Sequence, residues 1–322
     1  MKKGLLQDWG VLIAFVLLFV INIFRPGSMF LQPQNLLNLV SQNADVGLIA
    51  IGMTFVIIAG GIDLSVGSMM ALCGAACVLT LNKTSGAPMA LAAALTTGGV
   101  AGLLNGSLVS FGRVAPFDVT LAGLAGFRSL AQVLGAGGEI RSTVPSFTDI
   151  GFGGIPIPGV ADPSGKPLMV FWVTIAFIIV ALVAGFILNR TRFGRYVIAV
   201  GSNEQAARYS AIEVNRVKLA TYMIVGVLTG LAAFFVAARQ NSVGTGTTGM
   251  SNELDAIAAV VIGGTSLRGG KGRIWGTVVG ILLLTLISNM MTAYRIDTNW
   301  RGMAQALVIL IAVLMQRGSK SV

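Results

Sequence analysis

The sequence predicts an all-α, polytopic integral membrane protein of about ten transmembrane helices, with both termini in the cytoplasm. Three observations carry that expectation. Only 11 % of the 322 residues are charged, against about 25 % in an ordinary soluble domain. Apolar residues make up 55 %, and the mean hydropathy is +0.83. Apolar runs long enough to cross about 30 Å of hydrocarbon recur along the whole chain. With 22 basic and 12 acidic residues, a soluble fold of this size cannot cover itself. A soluble enzyme, a disordered chain and nucleic-acid binding are thereby excluded, despite the net charge of +10.

The expected spans are 9–24, 44–61, 64–81, 87–111, 117–136, 168–188, 219–239, 253–266, 274–291 and 301–316. Lys2 and Lys3 precede the first, and no small-x-small cleavage site follows it, so it reads as an uncleaved helix rather than a signal peptide. The 117–136 run is weakened by Asp118 and Arg128, and 253–266 is short enough to read as a broken or re-entrant helix. Basic residues set the orientation. Lys2, Lys3, Arg190, Arg192, Arg195, Arg208, Arg216 and Lys218 crowd one side, which the positive-inside rule makes cytoplasmic. Orientation thus accounts for the basic balance. Residues 137–167, rich in Gly, Pro, Ser and Thr, read as an outer loop, and the basic stretch 189–218 reads as a cytoplasmic loop with a helix of its own. The chain is expected to form one transmembrane domain over 1–322.

No metal and no cofactor are expected. Histidine is absent, and the two cysteines, Cys73 and Cys77, sit four apart in an apolar run as small buried thiols. Gly244-Thr245-Gly246-Thr247-Thr248-Gly249 fits a dinucleotide pattern but lacks the strand before it, and Gly270-Lys271 lacks the rest of a phosphate loop.

Glycines recur at four-residue spacing: Gly98, Gly102 and Gly106; Gly226 and Gly230; Gly272, Gly276 and Gly280. Such stripes let helix axes approach closely, within the chain or against a second copy. Gly60-Gly61-Ile62-Asp63-Leu64-Ser65-Val66-Gly67 is echoed by Gly263-Gly264-Thr265-Ser266-Leu267-Arg268-Gly269-Gly270. The echo reads equally as a duplicated helix-break-helix unit or as coincidence in a chain with 42 glycines. The span count puts both copies on the same side.

Polar groups inside a membrane are costly and are functional candidates. Here they are Asp63 and Ser65 beside the Gly60-Gly61 break, Asn105, Asp118, Arg128, and Glu253 with Asp255. Asp63 suits the cap of a helix starting near Leu64, or a direct substrate contact. Glu253 and Asp255 follow Asn252 at a helix start, where anions complement the dipole. In the cytoplasmic loop, Ser202-Asn203-Glu204-Gln205 reads as a capping box with Ser202 as N-cap. Glu204 and Arg208 stand four apart in the favourable order. Ala206, Ala207, Ser210 and Ala211 leave room for another backbone. The helix reads as a linker or as a docking element for a cytoplasmic partner.

These segments together resemble the permease subunits of ribose-type monosaccharide ABC importers. The resemblance rests on residues 60–68, the stretch 253–267, Gly269-Gly270-Lys271-Gly272, and Thr191-Arg192-Phe193-Gly194-Arg195 leading into Gly201-Ser202-Asn203-Glu204. It covers about residues 35–315. It implies a non-enzymatic, multi-pass protein of the bacterial inner membrane that passes a pentose or hexose by alternating access. Its partners would be cytoplasmic ATP-binding subunits, a second permease subunit (identical or paralogous) and a periplasmic sugar-binding protein. Residues 202–212 would match the coupling helix, with Ser202, Asn203, Glu204, Ala206, Ala207, Arg208 and Ala211 at the ATPase. The family usually carries Gly where Ala211 stands, an apolar residue at Asp118 and Gly at Ser129. A permease for branched-chain amino acids or nucleosides is the neighbouring alternative. An ion-coupled secondary carrier is the alternative from another class.

Overall fold

The computed structural model describes residues 2–24, 30–161 and 165–297, isolated positions as far as 310, and only the backbone of residues 2–10. In chain order the helices begin with α1 (Lys2–Ile23), α2 (Pro33–Ser41), α3 (Ala44–Ile58), α4 (Val66–Thr84), α5 (Ala87–Ser110) and α6 (Pro116–Leu134). The stretch after α6 follows with β1 (Glu139–Arg141), a short 3-10 turn (Pro145–Phe147), α7 (Thr148–Phe152), β2 (Gly154–Ala161) and β3 (Pro167–Phe171). Then come α8 (Trp172–Arg190), α9 (Arg192–Ser202), α10 (Glu204–Tyr209), α11 (Val214–Gln240), β4 (Ser242–Gly244), α12 (Asn252–Ile262) and α13 (Ile274–Ala293).

Helix α3 is the centre. Every residue from Ala44 to Ile58 is buried, as expected of a helix that is apolar all round. Close approaches surround it where side chains are missing. Gly47 meets the Phe177 ring of α8, and Gly52 meets the Val225 backbone of α11. The glycine stripes are used within the chain. Gly98 packs on the backbone of Gly226 and Gly230, Gly102 on Tyr222, and Gly106 on Leu219, so α5 and α11 run antiparallel in direct backbone contact. Gly276 and Gly280 of α13 pack the same way on Gly263 and Ala259. Of the two readings of the stripes, these positions follow packing within one chain. Elsewhere α5 and α8 present Val100, Leu104, Leu108, Ile179, Leu182 and Phe186 outward, a surface suited to acyl chains.

Five of the described helices are long and apolar enough to cross a membrane: α4, α5, α8, α11 and α13. Helices α2 and α3, bent by 41° at their junction, together make a sixth. Helix α6 is as long as α4 but carries Asp118 and Arg128. Helix α12 has 11 residues, about 16 Å, half of a bilayer core. The expected span at 301–316 lies largely outside the described residues. The chain is thus a multi-pass membrane protein.

Two corrections to the all-α expectation arise in the stretch between α6 and α8. Strand β1 pairs antiparallel with β4, Ile140 opposite Val243, and β2 pairs with β3. Three-residue strands whose partners lie a hundred residues away leave no local alternation to read. The apolar run 168–188 also divides, its first residues pairing in β3 before α8 begins at Trp172. A short apolar run has no period that separates strand from helix.

Long-range bonds group the helix ends. At one end, the Asp45 carboxylate meets Arg239 at 3.4 Å, Asn43 donates to Thr285 Oγ1 at 2.8 Å, and Asn82 donates to the Arg141 carbonyl at 2.9 Å. At the other, the ends of α3 and α9 meet the loop between α12 and α13.

Candidate functional site: a helix break above a tethered loop helix

Helices α3 and α12 end in the same way. Gly60, at φ +85°, closes α3, and the Gly61 N–H reaches back to the Val56 carbonyl at 2.9 Å. Gly264, at φ +87°, closes α12, and the Thr265 N–H reaches the Val260 carbonyl at 3.2 Å. Both are glycine caps in which a left-handed residue turns the chain and satisfies an orphan carbonyl. The equivalent residues are therefore Gly60 and Gly264. The echo aligned Gly60 with Gly263, so its register moves by one. A left-handed position, not the first glycine of a pair, defines equivalence.

Beyond the first cap the chain runs 61–63 without helix and turns at Asp63, which is fully buried. Asp63 Oδ1 accepts from the Ser65 N–H at 2.9 Å and from Ser65 Oγ at 2.6 Å. Ser65 Oγ in turn accepts from Asn105 Nδ2 on α5 at 2.8 Å. Asp63 Oδ2 has no hydrogen-bond partner among the described residues. A Cβ added at Gly123 of α6 would stand 3.1 Å from Asn105 Oδ1 and from Ser65 Cβ, so the glycine lets α6 pass close to both. The Ile62 carbonyl receives the Tyr222 hydroxyl of α11 at 3.3 Å and Thr120 Oγ1 of α6 at 3.4 Å. Three helices thus hold the break by polar contacts. Helix α4 begins at Val66, two residues beyond Leu64, with Ser65 in the N-cap position. Asp63 therefore closes a turn ahead of the helix instead of capping its second or third amide, because residues 64 and 65 are spent on that turn.

The other candidates lie elsewhere. Glu253 and Asp255 occupy the first turn of α12, where anions complement the dipole. The Glu253 carboxylate packs on Gly67 near the start of α4. Arg128 donates to the carbonyls of Thr245 and Thr248 at 3.1 and 2.7 Å and acts electrostatically on Glu253. Asp118 is exposed in the first turn of α6 and is not among the hydrogen-bond partners of the Asp63 group.

Below the break, the basic stretch 189–218 holds two helices rather than one. Thr191 caps α9, accepting from the Gly194 N–H at 3.2 Å. The capping box expected at Ser202 is corrected. Ser202 is the last residue of α9, and its hydroxyl donates to the Ile198 carbonyl at 2.8 Å. Asn203 is the N-cap of α10, its Oδ1 accepting from the Ala206 N–H at 3.0 Å. Both residue types cap well, and the choice falls to Asn203 because α9 continues through Ser202. Glu204 meets Arg208 at 2.8 Å, as the spacing predicts. It also meets Lys218 of α11 at 2.6 Å, which the helical spacing does not reveal. Burial by itself pushes the Glu204 carboxyl up. The hydrogen bonds and charges of Lys218 and Arg208 outweigh that and hold it below the usual carboxylate range. Ala207 is buried, Ala206, Ser210 and Ala211 are exposed, and Tyr209 is 90 % exposed. Ala211 sits at φ +58°, a left-handed position that favours glycine.

Lys218, Thr221 and Tyr222 line a small cleft with Gly60 and Gly61. Tyr222 is not among the residues singled out from sequence, although a phenol in an apolar span is a readable signal. Asp45, paired with Arg239, carries a similar signal as an acid in an apolar run.

Fold and site together define a polytopic membrane protein with interrupted helices in its core and a capped loop helix bound to the long helix α11 beside them. Residues 35–314 match the family described as branched-chain amino acid transport system / permease component, and the chain belongs to that family. It is 38 % identical over 314 residues to the ribose import permease protein RbsC of Escherichia coli (strain K12), covering 98 % of this chain and 94 % of that protein. It is 39 % identical over 320 residues to RbsC of Bacillus subtilis (strain 168), with the same coverage. The xylose transport system permease protein XylH of Escherichia coli (strain K12) is 30 % identical over 372 residues, covering 99 % of this chain and 94 % of that protein. No solved structure matches it.

Proposed function

We propose that the chain is the membrane permease subunit of an ABC importer, carrying a monosaccharide across the bacterial inner membrane by alternating access. The observation that carries this reading is the tethered helix α10. It is capped, exposed on one side, and bonded on the other to α11 directly below the break at 60–63. Cytoplasmic ATP-binding subunits would seat on Ser202, Asn203, Glu204, Ala206, Ala207, Arg208 and Ala211. A second permease subunit, identical or paralogous, and a periplasmic sugar-binding protein would complete the importer.

Ten spans with both termini cytoplasmic fit the helix order: α1, α2 with α3, α4, α5, α6, α8, α11, α12, α13 and the run 301–316, in one domain over 1–322. Gly60, Gly61, Asp63, Ser65 and Asn105, with Glu253 and Asp255, are the residues we assign to the pathway or its helix breaks. Asp118 would stand at its cytoplasmic edge. A pentose or hexose is favoured over a branched-chain amino acid because the near-full-length relatives are named for ribose and xylose. Carboxylate, hydroxyl and amide at the break also suit sugar hydroxyls. Family membership argues against an ion-coupled carrier.

The test is copurification with an ATP-binding subunit, followed by ATP-dependent uptake in proteoliposomes supplied with a binding protein and labelled ribose, xylose or leucine. Sugar uptake is expected. Uptake of leucine alone, or uptake independent of ATP, defeats the reading.

A further inference from the structure

We propose that Lys218 is a positioning residue that ties α10 to the helix break at 60–63, so that displacement of α10 reaches the break through α11. The inference rests on the importer reading above and adds the part that transmits force within this chain.

The geometry is a short chain of contacts. Both oxygens of the Glu204 carboxylate are engaged, Oε1 by Arg208 and Oε2 by Lys218. Arg208 belongs to α10 itself, is nearly half exposed, and reaches Asn215 at 3.2 Å. Lys218 is only 21 % exposed and belongs to the long helix α11. The better shielded of the two bonds is thus the one that crosses between elements, and shielding is what keeps an ion pair from being screened. Tyr222 follows Lys218 by four residues, on the same face of α11. Its hydroxyl holds the Ile62 carbonyl, and Gly61 lies against it so closely that a Cβ there would stand 2.7 Å from the phenol oxygen. Gly60, the turning residue, has nothing within 4 Å of where a Cβ would be. The break is therefore gripped from Ile62 to Ser65, by α11 together with α5 and α6, while Gly60, the turning residue, is uncrowded among the described residues.

Between α10 and α11 the chain is the short stretch 210–213, with Ala211 left-handed. Two side-chain bonds join α10 to α11, Arg208–Asn215 at its exposed edge and Glu204–Lys218 in the more shielded position, and the second is the one that lies one turn from the break. One turn of α11, about 5.4 Å, separates that bond from the Tyr222 latch.

The experiment uses the assembled importer. Wild-type protein that neither copurifies an ATP-binding subunit nor takes up sugar defeats the importer reading before any variant is compared. Given that activity, Lys218→Met is expected to copurify the ATP-binding subunit in wild-type amounts and keep basal ATP hydrolysis, yet lose about tenfold or more in uptake. Lys218→Arg, which keeps the charge, is expected to stay within about twofold. Adding Glu204→Gln should cost less in the Lys218→Met background than in the wild type, since part of what Glu204 does runs through that one bond. If Lys218→Met does not accumulate, Lys218→Gln takes its place in both comparisons. Uptake within about twofold of wild type in the uncharged variant, loss of the ATP-binding subunit from it, or losses that multiply in the double variant would each overturn the proposal.

Discussion

The backbone N–H of Gly270 donates to the carbonyl oxygen of Ile58 at 2.8 Å. One bond thus joins the end of α3 to the loop that follows α12, and Gly201 of α9 packs against the same carbonyl. The last carbonyls of a helix have no partner in their own helix, and hydrocarbon offers none. The two glycine-capped breaks therefore meet at one end of the molecule, on the side carrying the loop helices. This agrees with the same-side placement that the span count gave the two echoed motifs.

Sidedness is testable with single cysteines. Ser202→Cys in α9 and Ser146→Cys in the 3-10 turn of the 137–167 loop should label from opposite sides of the membrane. Both positions are exposed, and Cys73 and Cys77 are buried, so background labelling should be low. Labelling of both from one side would break the proposed span order.

For Asp63, the outcome depends on what its carboxylate does. Oδ1 accepts two bonds from Ser65, and an asparagine carbonyl can accept the same pair. Asp63→Asn should keep most uptake, while Asp63→Ala leaves the buried Ser65 donors unmatched and should cost about 1–3 kcal/mol. Uptake as low for Asn as for Ala, at wild-type protein levels, would mean that the charge itself is needed in the pathway.

Ala211 stands at φ +58°. Glycine has no Cβ penalty there, so Ala211→Gly should stabilise the protein by about 0.5–1 kcal/mol, the steric relief outweighing the added freedom of the unfolded chain. Thermal unfolding in detergent reads this directly. A lower midpoint would show that the turn does not hold its left-handed form.

Two glycines give a packing contrast. Gly98 lies against the Gly226 and Gly230 backbone, whereas a Cβ added at Gly126 would have nothing within 4 Å. Gly98→Val must push α5 off α11 and should cost about 1–3 kcal/mol or more, seen as reduced accumulation. Gly126→Ala should accumulate normally. Equal levels for the two variants would contradict the α5–α11 contact.

The anchoring of α10 should also respond to acid in a defined direction. The Glu204 carboxyl is held below its ordinary value of 4.5. A lowered carboxylate contributes stability above the unfolded value and loses it as pH falls through the folded one. Accessibility at Ala207→Cys, the buried position of α10, read by a pH-insensitive label, should therefore stay flat from about pH 8 to 5 and rise only in stronger acid. With Lys218→Met, the rise should begin at higher pH. An unchanged onset would separate Glu204 from Lys218.

Much of the architecture was legible because its causes are local. Charge content and apolar run length reflect transfer between water and hydrocarbon, and they pointed to a multi-pass membrane protein with its helices at nearly the observed positions. The stripes at Gly98 and Gly226 showed where backbones would touch, since only missing side chains permit that approach. The pair Glu204–Arg208 followed from helical spacing alone. The N-cap of α10 was misassigned by one residue, because Ser202 and Asn203 are both competent and the length of α9 decides between them.

What tertiary structure alone decided are the meetings between segments far apart in sequence. Lys218 finds Glu204 across a loop, Asn105 finds Ser65 from another helix, Tyr222 finds the Ile62 carbonyl, and β1 finds β4. Composition, periodicity and capping act within one helix or one turn, so a single sequence records them. A bond between distant residues depends on how whole helices pack and rotate against each other. That arrangement is set by the sum of many close-packed contacts, and no short stretch of the chain carries it.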